Sequence, residues 1–370
     1  MKSSAFDAAI VGGGPAGLAT AIGLAQAGLG AILIEVSDYT GVRVGEHLAP
    51  SGKAMLAALG AGELAADAAH AASPGVRSAW GSATPADKDY VFDPHGEGLN
   101  LARPHFDRTL AAHAARCGAD VRAQTKLANL SYAAGLWHLA LATAAGGTAE
   151  VSARLVVDAT GRAASVAKRL GAQPVVYDDL IGVFGQGRDT SAISKWVFIE
   201  AQAEGWWYSA GLADGGSVAT FLTDPDLVDV SGAGRGAAWR AQLARSALTQ
   251  SRYAGSVPGE ALHVRSARTQ RLEHVTGQGW LAVGDAAMSF DPLSSEGIAK
   301  GLEMGRAAAA SIGACCRGET NAFADYQRQA DMAFAQYLEA WHRFYAAERR
   351  WPDAPFWRRR RGQRRPKVEI

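Results

Sequence analysis

Three glycines and one acid near the start of the chain have the types and spacing to hold a diphosphate. Gly12, Gly14 and Gly17 stand as G-x-G-x-x-G in Asp7-Ala8-Ala9-Ile10-Val11-Gly12-Gly13-Gly14-Pro15-Ala16-Gly17, and Glu35 follows. In this pattern the first glycine allows a tight turn, the second lets the backbone approach a pyrophosphate, and the third lets helix and strand pack closely. The diphosphate would sit on free N–H groups at the helix start, beside Pro15 and Ala16, where the dipole favours negative charge. Glu35 is placed to hydrogen-bond ribose hydroxyls and to repel a 2′-phosphate. The pattern predicts a dinucleotide site but does not by itself separate FAD from NAD.

The elements that must position these residues can be read along the chain. An apolar run, the glycine turn, the alanine-rich segment Leu18 to Ala27 and a second apolar run, Ala31-Ile32-Leu33-Ile34, make one βαβ unit over 6–35. Gly45 to Pro50 reads as a loop before an alanine-rich helix over 51–68. Residues 73–97, rich in Pro, Gly and Asp, look like an excursion from the first domain. A helix is predicted from Pro104 to Cys117, then a turn into a strand at Val121. Alternation over 127–156 predicts hairpin strands, and Arg154 to Gly161 a buried strand ending in a small-residue turn. Residues 180–225 read as antiparallel sheet, 234–252 as a helix and 261–273 as a strand with its return. The strand Trp280 to Val283 precedes a glycine-punctuated loop and a long helix over 297–316. No internal repeat is present.

This interleaving predicts an α/β fold in which a discontinuous Rossmann-like domain with a parallel sheet (1–72, 98–164 and 262–318) is interrupted. The interruptions, 73–97 and 165–261, would form an antiparallel-sheet substrate domain, and 319–370 a C-terminal helix with a basic, aromatic tail.

At 370 residues, with 48% hydrophobic and 20% charged, the composition is that of an ordinary globular protein. No apolar run approaches the roughly 18 residues of a membrane span. Met-Lys-Ser-Ser leads straight into the first strand, so no signal peptide is expected. Three cysteines, two of them adjacent, form neither a disulfide framework nor a zinc pattern. A cytoplasmic protein without metal is expected. Between Arg343 and Lys367 stand ten lysines and arginines against Glu348 and Asp353, interleaved with Phe344, Tyr345, Trp351, Phe356 and Trp357. The aromatics argue against a nucleic-acid tail. They predict a helix and hook packed on the body, with the arginines facing solvent or an acidic partner.

A second signal is Gly279-Trp280-Leu281-Ala282-Val283-Gly284-Asp285-Ala286-Ala287, followed by Asp291-Pro292-Leu293-Ser294-Ser295-Glu296-Gly297-Ile298. With the N-terminal fingerprint, Arg103 before Pro104-His105-Phe106-Asp107, and Asp158-Ala159-Thr160-Gly161, the chain resembles the FAD-dependent aromatic hydroxylase and flavin-dependent halogenase superfamily over about 6–316. The resemblance implies FAD, with Asp285 on its ribityl chain and pyrophosphate, Arg103 in contact with it, and Pro292, Gly297 and Ile298 beside the flavin. Asp285 can also be read as a helix N-cap, and Arg103 as a salt-bridge partner. A helix opening at Gly297 would turn its N–H and dipole toward the flavin N1–C2=O edge and stabilise negative charge there.

Within the superfamily the halogenase branch is departed from. Its Trp-x-Trp-x-Ile-Pro signature stands here as Trp206-Trp207-Tyr208-Ser209-Ala210-Gly211, Ser294 replaces a glutamate, and Glu296 would repel chloride. No lysine lies between Lys53 and Lys88, where one that handles hypohalous acid would be sought. Gly205 to Ser209, Asp291 to Ser295 and Glu348 to Trp357 are more similar to flavoprotein monooxygenases that modify a peptidyl tryptophan towards a tryptophylquinone cofactor.

The resemblance implies hydroxylation of an electron-rich, indole-type ring by the electrophilic distal oxygen of a flavin C4a-hydroperoxide. The substrate would be a free aromatic or a tryptophan of a partner quinoprotein. Glu296 would be the general base or orienter, or simply an exposed capping glutamate. His47 is a second acid–base candidate or a surface histidine. Trp206, Trp207 and Tyr208 would wall the pocket or fill the inter-sheet core, with Trp80 and Arg77 at its mouth. Because there is one nucleotide fingerprint, NAD(P)H would dock transiently or a separate flavin reductase would supply electrons, with O₂ as co-substrate. Three other functions share these motifs: an oxygen-independent FAD oxidoreductase, a halogenase, and a flavin-bound assembly factor without catalysis.

Overall fold

A parallel sheet grows around the first glycine turn. Its strands lie in the order Trp280–Ala282, Thr148–Asp158, Phe6–Val11, Ala31–Ile34 and Asp120–Arg122, each parallel to the next. The computed structural model describes residues 5–188, 195–229, 234–253 and 262–362. Ala8 to Val11 and Ala31 to Ile34 are buried throughout, as strands covered on both faces must be. Val11 pairs with both Ile34 and Asp158, so three strand ends finish at one level. Around the sheet lie α1 (Pro15–Gln26), α2 (Pro50–Ala58) and α3 (Arg103–Arg116). The helix expected over 51–68 is shorter, because Gly60 turns left-handed at φ 69° and the chain resumes as a 3₁₀ turn at Gly62–Ala66. Asp158 closes the third strand by accepting from Thr160 N and from Ala167 N in the short α4 (Ser165–Arg169).

A second sheet of seven strands runs His263–Ser266, Ile181–Arg188, Gly216–Thr223, Gly205–Gly211, Val197–Gln202, Gly75–Ala79 and Ala86–Asp89. Only the Val197–Gln202 and Gly75–Ala79 pair is parallel, where the 73–97 excursion joins the later strands. Two expectations are corrected here. The 234–252 stretch is two helices, α5 (Arg235–Ala244) and α6 (Leu248–Ser251), because the buried Glu200 carboxylate accepts from the backbone N–H of Ala247, Leu248 and Thr249 and starts a new helix. The 261–273 strand and return separate: His263–Ser266 joins the large sheet, whereas Gln270–Leu272 pairs with Pro174–Val176 and Met288–Ser289.

The 20-residue helix α7 (Gly297–Cys316) lies against α1 through small residues, Gly305 meeting Ala16 and Ala19. Next, α8 (Ala322–Ala347) and α9 (Pro355–Gly362) cover the junction of the two large sheets. Tyr337, Trp341 and Tyr345 recur every fourth residue on α8 and are all buried. Among the described residues no helix is long and apolar enough to cross a membrane.

The basic C-terminal stretch differs from its expectation. Arg360 is 2% exposed, its guanidinium stacked on Phe356 and paired at 2.7 Å with the buried Asp224, which also accepts from Arg359. Aromatic packing around Tyr345 draws this arginine inward, and Asp224 neutralises it there. Arg364, Arg365 and Lys367 lie outside the described residues. Arg360→Gln is expected to cost about 3 kcal/mol, because it leaves a buried carboxylate undercompensated. Arg358→Gln, at an exposed position, should stay within about 0.5 kcal/mol of wild type in denaturant unfolding.

Candidate active site

The glycine elbow forms as its residues dictate. Gly12 holds φ at 113°, and a side chain there would stand 2.1 Å from the Ala159 carbonyl oxygen. Gly12 N donates to Ile34 O, and Ala159 N to Val11 O, which locks the turn between the strand ends. At the start of α1 no side chain caps the helix, Pro15 has no N–H, and the missing side chain of Gly14 faces open space. An uncapped helix end behind an open glycine is a cradle for a diphosphate, so these residues fit the dinucleotide predicted from them.

Glu35 is 7% exposed and accepts from Gly13 N at 2.6 Å, which sets its carboxylate beside the elbow. It also takes the Arg43 guanidinium, whose other nitrogen reaches Asp107; Asp107 in turn binds Arg103 at 3.0 Å. Arg103 then donates to the carbonyls of Val44 and Gly45, and its Nε is buried without a partner among the described residues. Arg103 is thus a salt-bridge partner within the fold.

Asp285 sits in the 3₁₀ turn Gly284–Ala286 and caps no helix. Its carboxylate binds Lys300 at 2.9 Å and Arg162 at 3.4 Å. Burial alone would raise its pKa, but these two cations hold it below the ordinary carboxylate range. About a third of the Asp285 side chain remains exposed, so the acid stays charged and reachable. Next, Asp291 opens the turn Pro292–Ser294 by accepting from Leu293 N, and Ser295 follows at φ 55°. Gly297 begins α7 with open space where a side chain would be, and Ile298 is buried. Glu296 occupies the N-cap position, exposed, and its carboxylate makes no capping bond. Partial burial, with Glu303 nearby, pushes its pKa up against the pull of Lys300 and Lys88.

His47 is buried, not a surface residue. Its nitrogens lie 3.4 Å from Asn100 Oδ1 and 3.2 Å from Tyr90 Oη, and burial pushes its pKa down to about 4. The ring is therefore neutral at physiological pH. On the strand Gly205–Gly211 the side chains alternate. Trp207 packs on Phe221 and Trp239 under α5. Trp206, fully buried, donates to Tyr345 Oη at 3.1 Å, so both tryptophans fill cores. Tyr208 is buried near Glu46. Trp80 packs edge-on against Trp206, Tyr345 and Trp357 and donates to Phe344 O. Arg77 makes a two-pronged cross-strand pair with Asp87.

Sequence reasoning missed Lys300, Arg162, Arg43 and Glu46. Lys300 shares a helical face with Met304 and Ala308, and a lysine on a buried face signals a buried partner. Arg162 directly follows Asp158-Ala159-Thr160-Gly161. No spacing marks Arg43 or Glu46.

The architecture and the cradle define a class: residues 5–336 match the FAD binding domain family, and the chain belongs to it. It is an FAD-dependent oxidoreductase. Over 360 residues, covering 96% of each chain, it is 31% identical to the “Putative FAD-dependent oxidoreductase LodB” of Marinomonas mediterranea. Among solved structures it is similar to the peptidyl tryptophan dihydroxylase QhpG, essential for tryptophylquinone cofactor biogenesis. That match has 25% identity and a TM-score of 0.80, covering 99% of this chain and 80% of the other. The myxobacterial chondrochloren halogenase CndH shares the fold at a TM-score of 0.90 and 21% identity, over 99% of this chain and 87% of that one.

Glu46 gives a test of the electrostatics beside Arg103. Burial pushes its carboxyl up to about 7 against the pull of Arg103. An acid whose pKa is raised by folding costs stability above that pKa, and the cost vanishes below the ordinary carboxylate range. Glu46→Gln should therefore stabilise the protein by roughly 1–3 kcal/mol at pH 8 and leave it unchanged near pH 4, as read by thermal unfolding at both pH values.

Proposed function

We propose that this chain is an FAD-dependent monooxygenase that hydroxylates an electron-rich, indole-type ring, in particular a tryptophan side chain of a partner protein on its way to a quinone cofactor. In this reading Asp285 and the turn Pro292–Gly297 would hold the isoalloxazine. When bound, reduced FAD with O₂ supplies electrophilic oxygen.

The chain's own part is to hold and deprotonate the ring. Glu296 carries the reading: its carboxylate stands exposed at the start of α7, caps nothing, and has its pKa raised above the ordinary carboxylate value. It would hold the substrate N–H and take its proton at a carboxylate oxygen as the ring is attacked. A fixed negative charge there also disfavours a halide, which weighs against the halogenase reading. Asp285 and the start of α7 would orient the cofactor, and neutral His47 would fix Tyr90 at the edge of the site. The 25% identity to a peptidyl tryptophan dihydroxylase over 99% of this chain supports a protein-borne ring. Electrons would come from NAD(P)H docking transiently or from a flavin reductase.

The test is anaerobic reduction followed by O₂ in the presence of a tryptophan-containing quinoprotein precursor. Peptide masses should rise by one or two oxygen atoms, and Glu296→Gln should lower kcat by about 100-fold or more while FAD stays bound. A halide-dependent mass gain would move the reading to a halogenase. Reductant consumption without oxygen uptake would reduce it to an oxygen-independent oxidoreductase.

A further inference from the structure

The buried carboxylate of Asp291 opens the turn that leads to Gly297, yet most of its partners come from α8. Its backbone N–H donates to Tyr337 Oη at 2.8 Å, and its Oδ2 accepts from Tyr345 Oη at 2.7 Å and from Trp341 Nε1 at 3.2 Å. Its Oδ1 accepts from Leu293 N inside the turn itself. The neighbouring Phe290 stacks flat on Tyr337, with centroids 3.9 Å apart and planes 3° apart. Tyr345 spends its proton on Asp291 and accepts from Trp206 Nε1, which lies on the second large sheet. One hydroxyl therefore joins that sheet, the C-terminal helix and the turn.

The turn needs such support. Ser295 is held in the left-handed region at φ 55°, and a non-glycine residue stays there only where its surroundings impose it. Within the turn, the bonds that oppose relaxation are Leu293 N to Asp291 Oδ1, Ser294 N to Asp291 O, Ser295 N to Pro292 O and Glu296 N to Ser294 Oγ. Asp291 is thus the point where the strained turn is fastened to a rigid element, and α8 supplies the fastening.

We propose that Asp291 is a positioning residue. Held by Tyr345 and Trp341, it sets the Pro292–Glu296 turn and the first N–H groups of α7 at the flavin, and ties their placement through Trp206 to the second sheet. The C-terminal helices would then be part of the cofactor site rather than a cover over it. The inference rests on the reading that the flavin ring lies against the start of α7, and not on the identity of the substrate.

Three variants of the full chain, loaded with FAD, test it through the flavin absorption spectrum, the FAD dissociation constant and the midpoint potential. Gly297→Val reports whether the ring lies there, because the protein itself leaves that space open. Tyr345→Phe removes the hydroxyl between Asp291 and Trp206. Trp239→Phe removes a comparable buried bond, to Val183 O at 3.0 Å, in the separate core under α5. The expected result is that Gly297→Val and Tyr345→Phe both shift the spectrum and potential, and that Tyr345→Phe weakens FAD binding by roughly tenfold, the scale of one charge-assisted hydrogen bond. Trp239→Phe should lower only the melting temperature. If Gly297→Val perturbs the flavin and Tyr345→Phe does not, the positioning role is overturned while the flavin placement stands. If Gly297→Val leaves the flavin unchanged, the placement itself is wrong. Equal flavin shifts in Tyr345→Phe and Trp239→Phe would reduce the effect to general destabilisation and also overturn the role. Should Tyr345→Phe not fold, Trp341→Phe, which loses only the longer bond, is read in the same way.

Discussion

At Gly12 the backbones of three segments meet with no room for a side chain. The end of the first strand passes under the Ala159 carbonyl, and the first turn of α1 crosses over Gly12 so closely that a β-carbon on Gly17 would stand 2.0 Å from its oxygen. That crossing fixes where α1 begins relative to the Asp158 turn. Arg162, which follows that turn directly, pairs with Asp285 in the 3₁₀ turn after the neighbouring strand. The glycine elbow is thus set by backbone contact within the parallel sheet, and Asp285 is tied to the same sheet through the Arg162 ion pair.

Charge on this frame is arranged in alternation. Glu35, Arg43, Asp107 and Arg103 form a chain of opposite signs along the nucleotide side, and Asp285 stands between Lys300 and Arg162 at the other end. Each partly buried ion has at least one counter-ion, which offsets the cost of desolvation. Two buried groups, Glu46 and His47, instead have pKa values shifted by burial toward their neutral forms. Tyr208, buried beside Glu46, sits in this less charged part of the fold.

The nucleotide cradle was legible in the sequence because its parts are local: a turn of fixed length, a helix start and an acid one strand later. The first sheet followed from apolar runs long enough to be buried on both faces. Other features depend on contacts far apart in the chain. The break between α5 and α6 is set by Glu200, well upstream of it, and no propensity in 244–248 announces it. Sequence alone leaves Trp206 open between pocket wall and core, and places Trp80 at a pocket mouth, because pocket and core tryptophans look alike in sequence; the arrival of α8 and α9 decides for packing. Arg360 is expected from sequence to face solvent or an acidic partner, and its acid proves to be the chain's own Asp224, which lies far from it in sequence.

The second sheet ends on the strand Ala86–Asp89, all four residues of which are exposed and whose outer hydrogen-bonding groups meet no further strand among the described residues. An unpaired border of this kind is a template on which another chain can add itself. Here the border reads Ala-Asp-Lys-Asp, so an incoming strand would bring its backbone against three ionised side chains and would have to strip their water. The composition at this margin, where the described residues supply no covering element, disfavours such addition, and removing those charges would weaken that protection.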